Sequence, residues 1–261
     1  MTKPTDEFAK LLSTFSRQHP WHVQLDDDAP AIVKAYIENP PDSNLKMELD
    51  KASGSLACDR PQLLSSRFPH LYGLVPETYC GEEVGDFCAE RTNRRRVEGD
   101  GDPLDICVLT EKDFNRGDIF LNAKPIGGLR MIDGGKADDK IVAVLVSDIE
   151  YGHYEDISQC TPGIIERMKH YFLTYKQRTE HSGAHTVEIT DVYGREEAHE
   201  VIRRSMGDYV TKWGTREQRV EKMRDVLFEA LLTKLASDKS LRDRFAAALK
   251  GKKPSQGRKK K

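Results

Sequence analysis

Two clusters of carboxylates, separated by apolar runs, are the strongest constraint that this sequence places on its fold. The first cluster is Glu98-Gly-Asp-Gly-Asp-Pro-Leu-Asp105, and the second is Asp133-Gly-Gly-Lys-Ala-Asp-Asp-Lys140. The apolar segments between them, at 106–109, 119–121 and 125–129, have the length and composition of strands. We therefore expect a sheet that carries both clusters at the ends of neighbouring strands.

Crowding of these carboxylates indicates a cation site. Carboxylates that share a small volume repel one another and raise each other's pKa unless a cation holds them together. Oxygen ligands suit hard cations such as Mg²⁺, Mn²⁺ or Ca²⁺. Lys140 adds a positive charge just past the second cluster. The stretch therefore predicts a divalent-metal site that faces an anionic ligand.

Composition limits the class of protein. Of the residues, 38% are hydrophobic and 32% are charged, which is typical of a soluble protein with a modest core. No apolar run approaches the roughly 18 residues that span a bilayer, and the N-terminus lacks the apolar core of a signal peptide. The formal net charge of -2 predicts neither a nucleic-acid nor a membrane partner. Five scattered cysteines indicate free thiols in a cytoplasmic protein.

Periodicity and turn residues predict further strands. They are expected at 31–38, at 45–50 and 56–60 as a hairpin, at 140–146 as a buried central strand, and at 187–190. In the hairpin, Leu45, Met47 and Leu49 alternate with Lys46 and Glu48. Alternation alone is typical of a half-buried strand with a solvated outer face, but Lys46 and Glu48 would also suit the wall of a polar cavity.

Capping residues and apolar stripes predict the helices. They are expected at 5–17, from Thr161-Pro162 with Thr as N-cap, at 196–206, and from Thr215, where Gln218 completes a capping box. The helix from Thr215 carries the stripe Val220, Met223, Leu227, Leu231 and Leu235, which we expect to be covered. A last helical piece carries Leu241, Phe245 and Leu249.

Four regions follow from this pattern. We expect an N-terminal arm at 1–30, a main domain at 31–208, a helical extension at 209–251 and a basic, disordered tail at 252–261. The segment 79–97 has no clear period and is expected to be an inserted loop. Its thiols, Cys80 and Cys88, are expected to be free, and its basic run at 94–96 is expected to be a solvated turn.

Other nucleotide and metal motifs do not fit. An EF-hand loop that began at Asp100 would place Leu104 and Asp105 where an oxygen ligand and a glycine are needed. The chain has no phosphate-binding Gly-rich loop with Lys-Ser/Thr and no zinc-protease helix motif. In the acidic stretch, Asp100 and Asp102 share one side of an extended segment, and Pro103 can bend the chain so that Asp105 joins them.

Asp100-Gly-Asp102-Pro-Leu-Asp105 resembles the signature of the soluble family I inorganic pyrophosphatases. The resemblance runs from about Ile37 to Tyr193. It matches the following site residues of that family: Glu38, Lys46, Glu48, Arg60, Tyr72, Asp133, Asp138, Lys140, Tyr175 and Lys176. The sequence departs from the family at Phe68, where a tyrosine is usual, and in the longer segment from Tyr79 to Val97.

The resemblance implies a fold and a function. The fold is mainly β with flanking helices (α+β), a small closed OB-type β-barrel with helical extensions, and the chain is expected to form a homo-oligomer. The implied activity is hydrolysis of pyrophosphate to two phosphates with Mg²⁺ as cofactor. Two bound metals would lower the pKa of a shared water and clamp the phosphoryl group.

The resemblance also implies a role for each matched residue. Asp102 orients and deprotonates the water. The metal ligands are Asp100, Asp105, Asp133 and Asp138, with Glu38 and Glu48 acting through waters or a further metal. Phosphate oxygens are held by Lys46, Arg60, Tyr72, Lys140, Tyr175 and Lys176, and the arginine is able to bind them bidentately.

Two other functions remain open at this point. A different metal hydrolase, such as a phosphodiesterase, would need room for an organic group. A non-catalytic nucleic-acid-binding barrel would present exposed aromatic residues and a basic face, whereas the polar face predicted here is acidic.

Overall fold

The computed structural model describes residues 17–176 and 186–251. The predicted N-terminal helix at 5–17 falls almost entirely outside this range, and the basic tail at 252–261 lies wholly outside it. The chain divides into two compact units, residues 1–212 and 213–261. No helix in the described part of the chain has the length and hydropathy needed to cross a bilayer.

The first unit is built on a mixed sheet with helices. Its strands are β1 (Val33–Asn39), β2 (Leu45–Leu49), β3 (Leu56–Pro61), β4 (Leu71–Leu74), β5 (Glu98–Gly99), β6 (Asp105–Leu109), β7 (Ile119–Asp133), β8 (Lys136–Ala137), β9 (Lys140–Leu145) and β10 (Val187–Gly194). Its helices are α1 (Glu82–Arg91), α2 (Pro162–Thr174) and α3 (Arg195–Trp213), with 3₁₀ turns at Pro20–His22 and Ile157–Gln159.

Strand order brings the two acidic segments together. The main sheet runs β1-β4-β6-β9-β7-β8-β5, β10 pairs with β7, and β1 pairs with β7 as well as with β4. The pairs β6–β9 and β5–β8 are parallel, and the other pairs are antiparallel. The hairpin β2–β3 forms a separate two-stranded sheet, as the alternation at 45–60 predicts.

The core explains why β6 and β9 are continuously apolar. Ile106 of β6 and Ile141 of β9 belong to one hydrophobic cluster, together with side chains of α1. Their neighbours Cys107 and Val142 belong to a second cluster with side chains of α2. Because successive strand residues point to opposite faces, a strand covered on both faces needs no polar positions. The prediction of a buried central strand at 140–146 is confirmed for residues 140–144, whereas the strand ends at Leu145 and Val146 is 41% exposed.

Two local expectations differ from the structure. The apolar runs at 119–121 and 125–129 belong to a single strand, β7, which has a register irregularity between Pro125 and Gly127. The segment expected to be an inserted loop contains α1, whose Val84, Phe87 and Cys88 are buried. The helix has only ten residues, with Gly85 in its second turn, so its periodicity is short and weak.

The backbone at Gly85 explains why a glycine occupies the helix. A Cβ at this position would lie 2.5 Å from the carbonyl oxygen of Val97. Such a contact is not available to a real side chain, so α1 approaches the following segment through its own backbone. The start of α1 is capped from outside by Asp208 of α3, whose carboxylate accepts the N–H groups of Gly81, Glu83 and Val84 at 2.9–3.1 Å.

The second unit contains two helices, α4 (Arg216–Ser237) and α5 (Lys239–Gly251). The predicted capping box is present: Thr215 accepts from the N–H of Gln218, and the Gln218 side chain accepts from the N–H of Thr215. At the N-terminus of α2, by contrast, Thr161 occupies the N-cap position without a capping hydrogen bond from its side chain. That the apolar stripe of α4 is covered stays a prediction, because within the described chain no side chain of α4 is buried.

Candidate active site

Parallel pairing of β6 with β9 places the two acidic clusters side by side. Asp105, at the start of β6, is the register partner of Lys140, at the start of β9. Asp133 ends β7, and the chain then turns through two glycines with φ of 57° and 83° before Asp138. The prediction that both clusters lie at the ends of neighbouring strands is therefore confirmed.

Asp100 to Pro103 form a turn instead of the extended segment that the sequence predicted. Gly101 has a φ of 85°, a conformation that favours glycine, and the N–H of Asp102 donates to Asp100 Oδ1 at 3.0 Å. Cys80 holds this turn from the adjacent segment: its N–H donates to the carbonyl of Asp102 at 2.8 Å, and its carbonyl accepts from Gly101 at 3.0 Å. The segment that precedes α1 thus supports the acidic turn.

A cavity of about 300 Å³ lies where these segments meet. Twelve of the thirteen residues predicted for the site line it: Glu38, Lys46, Glu48, Tyr72, Asp100, Asp102, Asp105, Asp133, Asp138, Lys140, Tyr175 and Lys176. They come from β1, β2, β4, the acidic turn, β6, β7, β9 and the residues that follow α2. The fold therefore gathers side chains that are as many as 138 positions apart in sequence, from Glu38 to Lys176.

Arg60 is the predicted residue that lies off the cavity. It is the register partner of Lys46 in the β2–β3 hairpin. Its guanidinium carbon lies 5.6 Å from the centre of the Tyr175 ring, and its Nε is 3.6 Å from Asp59. Arg60 therefore packs over the ring of a tyrosine that lines the cavity.

Six residues that the sequence did not single out also line the cavity: Trp21, Leu49, Lys51, Leu74, Pro103 and Lys136. Of these six, Lys51 contacts the carboxylate that was predicted to be catalytic, because its ammonium group is paired with Asp102. Lys136 lies inside the second acidic cluster, so its place in the sequence was a usable signal. Lys51 lies in the β2–β3 turn and gave no comparable signal.

Phe68, the departure from the resembling family, lies in the core. Only 1% of its surface is exposed, and its ring packs 5.1 Å from Tyr72 and 5.0 Å from Tyr171. It does not line the cavity, although it supports the tyrosine that does. Phe68 thus adds no polar group to the site and contributes through its ring contacts alone.

Ammonium groups pair with the carboxylates throughout the cavity. Lys140 contacts both Asp105 and Asp138. Lys176 contacts Asp133, and Lys46 contacts Glu48. Lys140 has only 2% of its side chain exposed, so burial opposes its charge; the attraction of Asp105 and Asp138 outweighs burial and holds the pKa of Lys140 well above its usual value.

Burial and crowding raise the pKa of several carboxyls here. Burial raises the pKa of Glu38 to about 8, although the N–H of Leu49 donates to it at 2.7 Å. Burial, and then the charge of Asp138, raise the pKa of Asp100 to about 8. Burial also raises the pKa of Asp138 itself, against the opposing charge of Lys140. A cation among these carboxylates would relieve both penalties.

The donor set fits a hard divalent cation. It consists of carboxylate oxygens, the ligands that Mg²⁺, Mn²⁺ and Ca²⁺ prefer. Within residues 17–176 and 186–251, no three His, Cys, Asp or Glu side chains are already arranged as a metal cluster. The ion pairs of Lys140 and Lys176 account for this, since the ammonium groups lie among the carboxylates that would have to converge.

A buried ion pair lies directly beneath the second cluster. Asp139 points away from the cavity into the protein, and its Oδ2 is 2.8 Å from Arg130 Nη1. Both side chains are buried, at 1% and 0% exposure. Arg130 also donates to Glu197 at 2.5 Å, and Asp139 accepts from the Tyr193 hydroxyl at 3.0 Å. Asp139 separates Asp138 from Lys140, so this pair anchors the segment that leads into β9 and carries both.

Comparison with known proteins gives a consistent result. A family model described as inorganic pyrophosphatase matches residues 35–210. An inorganic pyrophosphatase of Chlamydia muridarum is 49% identical over 196 residues, which cover 73% of this chain and 93% of that protein. Soluble inorganic pyrophosphatase 3 of Arabidopsis thaliana is 36% identical over 205 residues, covering 77% of this chain and 84% of that protein.

A solved structure gives the same result at the level of the fold. The crystal structure of inorganic pyrophosphatase from Thermus thermophilus matches with a TM-score of 0.62 and 28% identity. The match covers 73% of this chain and 98% of that one. Residues beyond 210 lie outside the family match.

Proposed function

Since the chain belongs to the inorganic pyrophosphatase family, we propose that it hydrolyses inorganic pyrophosphate to two phosphates with Mg²⁺ as its cofactor. The family is one of hydrolases that act on a phosphoanhydride bond. One observation supports the proposal best: a single cavity is lined by seven carboxylates and five lysines. Carboxylates in that number serve cations, and the lysines serve an anion, which is the combination that a small, densely charged substrate requires.

The metal-holding residues in this proposal are Asp100, Asp105, Asp133 and Asp138, with Glu38 and Glu48 in support through waters. When bound, Mg²⁺ would supply Lewis-acid polarisation of the phosphoryl oxygens and of the attacking water. The raised pKa values of Asp100, Asp138 and Glu38 support this assignment, because these carboxyls gain most from a nearby positive charge.

Asp102 is the proposed general base. It lies in the acidic turn between Asp100 and Asp105, and 47% of its side chain is exposed, so a water can reach it. The Asp100 carboxylate accepts its backbone N–H, which fixes the turn and the direction of the side chain. Asp102 would take a proton from the attacking water while the turn holds it in place.

Cationic and phenolic groups would hold the phosphates. Lys46, Lys140 and Lys176 each carry three N–H donors, of which carboxylates accept one or two here, so donors remain for phosphate oxygens. Tyr72 and Tyr175 add hydroxyl groups at the same wall of the cavity. Arg60 is proposed to join them from its position over the Tyr175 ring, because a guanidinium binds phosphate bidentately.

The finer architecture is also a proposal. The pairing of β1 with both β4 and β7 supports a closed OB-type barrel, since it would return the hydrogen bonding of β4-β6-β9-β7 to the first strand. A homo-oligomer and a cytoplasmic location stay predictions.

Phosphate release from pyrophosphate, with Mg²⁺ and then with excess chelator, tests the function. We expect Asp102→Asn to reduce turnover by about 10²–10⁴-fold with saturating Mg²⁺, since that is the usual contribution of a general base. Asp113→Asn is the matched control, because Asp113 is exposed and does not line the cavity. Near-full turnover of Asp102→Asn would refute its role, whereas cleavage of phosphate bis-esters without any release from pyrophosphate would refute the function itself.

A further inference from the structure

The whole-chain charge conceals a strong separation of charge between the two units. Residues 213–261 contain fifteen Lys and Arg against six Asp and Glu, a formal net charge of +9. Residues 1–212 therefore carry -11, which together give the total of -2. The expectation that the chain has no membrane partner rested on that total, and the second unit taken alone does not support it.

The same unit has an apolar surface on α4. This helix itself has five Lys and Arg against four Asp and Glu, so most of the positive charge lies in α5 and in residues 252–261. Met223, Leu227 and Leu231 follow one another at four-residue spacing and share one side of the helix, with Phe228 and Leu232 beside them. We call these five residues the α4 face. All five are exposed: 57% of Phe228 and 49% of Leu227 are accessible. Exposed clusters of large apolar side chains mark interaction surfaces.

Helix α5 also has both exposed cations and an exposed large apolar side chain. Lys239 and Arg244 are exposed. Phe245, which directly follows Arg244, is 42% exposed. The guanidinium of Arg242 donates to the carbonyls of Leu235 and Ala236 at 3.1 and 2.7 Å. Arg242 thus connects α5 to the last turn of α4, and these hydrogen bonds help to fix the position of α5 relative to α4.

We propose that α4 and α5 bind an anionic membrane surface, with the α4 face and Phe245 in the headgroup region and the cations against lipid phosphates. Helices that carry Leu and Phe on one side and Lys and Arg on another lie in the plane of the interface in this way. Basic residues that follow an amphipathic helix add attraction to anionic lipids, and residues 252–261 contain six Lys and Arg and no acidic residue.

Lipid explains both properties of the second unit, whereas other partners explain only one. A nucleic acid would use the positive charge, but contacts to a phosphate backbone give no role to Leu227, Phe228 or Leu231. A second copy of the same unit would cover the apolar side chains, but it would bring together two units that each have a formal net charge of +9, and like charges oppose association. The surface also lies outside residues 35–210, so the family match does not account for it.

Vesicle binding by the full-length protein tests the proposal. Sedimentation is measured with phosphatidylcholine vesicles and with vesicles that also contain phosphatidylglycerol. We expect binding only to the anionic vesicles, weaker at high salt because screening shortens the reach of the charges. Lys239→Gln/Arg244→Gln should lower the partition coefficient by roughly 30-fold, since each cation near the surface contributes about a factor of five. Leu227→Ser/Phe228→Ser should also abolish most binding.

Matched substitutions in the first unit control for general loss of charge or apolar surface. Ile149→Ser removes a side chain that is 86% exposed, and Arg95→Gln removes an exposed cation. Both should bind anionic vesicles as the native protein does. Pyrophosphate turnover without vesicles should be unchanged in all of these variants, which shows that the first unit is folded. An unchanged helical circular-dichroism signal shows the same for α4 and α5.

Four results would overturn the proposal. One is no binding to anionic vesicles at low salt. A second is undiminished binding of Leu227→Ser/Phe228→Ser, because charge alone would then explain it. A third is dissociation of an oligomer by the same pair, which would place a second copy on the α4 face. The last is tight binding of a single-stranded RNA that needs Lys239 and Arg244 but not Leu227 and Phe228.

Discussion

Arg130→Met tests the claim that a buried ion pair anchors the second acidic cluster. The substitution keeps most of the side-chain volume and removes the guanidinium that lies 2.8 Å from Asp139. Asp139 would then be a buried carboxylate with the Tyr193 hydroxyl as a remaining donor, at 3.0 Å. Removing one partner of a buried pair costs about 3–5 kcal/mol of stability, because the other charge is left uncompensated. We expect a loss of this size near neutral pH.

The dependence on pH makes this prediction specific to charge. Burial raises the pKa of Asp139 to about 6, although Arg130 opposes the shift. The pKa of Asp in the unfolded chain is about 3.9. The native protein therefore loses stability as the pH rises from about 3.9 to about 6, and this group causes no further loss at higher pH. Without Arg130 the folded pKa rises further, so the variant keeps losing stability above about pH 6, by up to about 1.4 kcal/mol per pH unit.

Urea unfolding of the metal-free protein at several pH values measures the effect. A chelator is present throughout, so that metal binding at Asp138 does not vary with pH. The stability gap between native protein and Arg130→Met should widen from about pH 6 to about pH 8. The double variant Arg130→Met/Asp139→Asn should show a gap that stays nearly constant, because it has no carboxyl to titrate.

An exposed pair supplies the matched control. Arg203 forms an ion pair with Glu200, and 51% of the Arg203 side chain is exposed. Arg203→Met should therefore lower stability by less than about 1 kcal/mol at every pH. The reasoning would be refuted if the stability difference between native protein and Arg130→Met were as small as that of the control. It would also be refuted if this difference were the same at about pH 6 and about pH 8. In that case Asp139 would be protonated in the native protein and would carry no charge for Arg130 to balance.

Three further outcomes are expected. Asp208→Ala, which removes the acceptor of three N–H groups at the start of α1, should lower stability by about 0.5–2 kcal/mol, the usual value of a helix cap, and a thermal-unfolding curve unchanged from native would contradict it. Cys80→Ser/Cys88→Ser should retain native turnover under reducing and oxidising conditions, because burial raises the pKa of both thiols and leaves them unreactive; altered turnover or metal content would show a role in the site. Truncation before Thr215 should keep turnover per folded, metal-loaded site, and a folded but inactive product would show that the second unit takes part in the chemistry.

Local patterns in the sequence determined much of the site. Strand composition and the spacing of Asp100, Asp105, Asp133 and Asp138 placed two carboxylate clusters at strand ends, and the β6–β9 register bears this out. The capping box of Thr215 and Gln218 was equally readable. Within each carboxylate cluster, and in the capping box, the residues are at most a few positions apart, so that their local geometry follows from the period of a strand or helix.

Other features depend on contacts between segments that are distant in the sequence, and local patterns did not predict them. Residues 82–91 form a helix because Asp208 caps its start and Gly85 fits against the Val97 carbonyl, neither of which a ten-residue period reveals. The sequence also did not show that Arg60 packs over the ring of Tyr175, at 5.6 Å from its centre; its role as a phosphate ligand stays a prediction.

The tertiary structure alone decided which charges meet. Lys51 contacts Asp102 across 51 positions, and Lys176 contacts Asp133 across 43. Arg130 lies on β7, and Asp139 lies nine positions later, just before β9, which pairs with β7. The burial of both side chains makes them an anchor instead of a surface pair. The sequence specifies the period of each strand. The register between strands and the conformation of the connecting turns determine which side chains become neighbours. Those are set by packing of the whole core, because a shift of one residue would move every side chain of a strand to the opposite face.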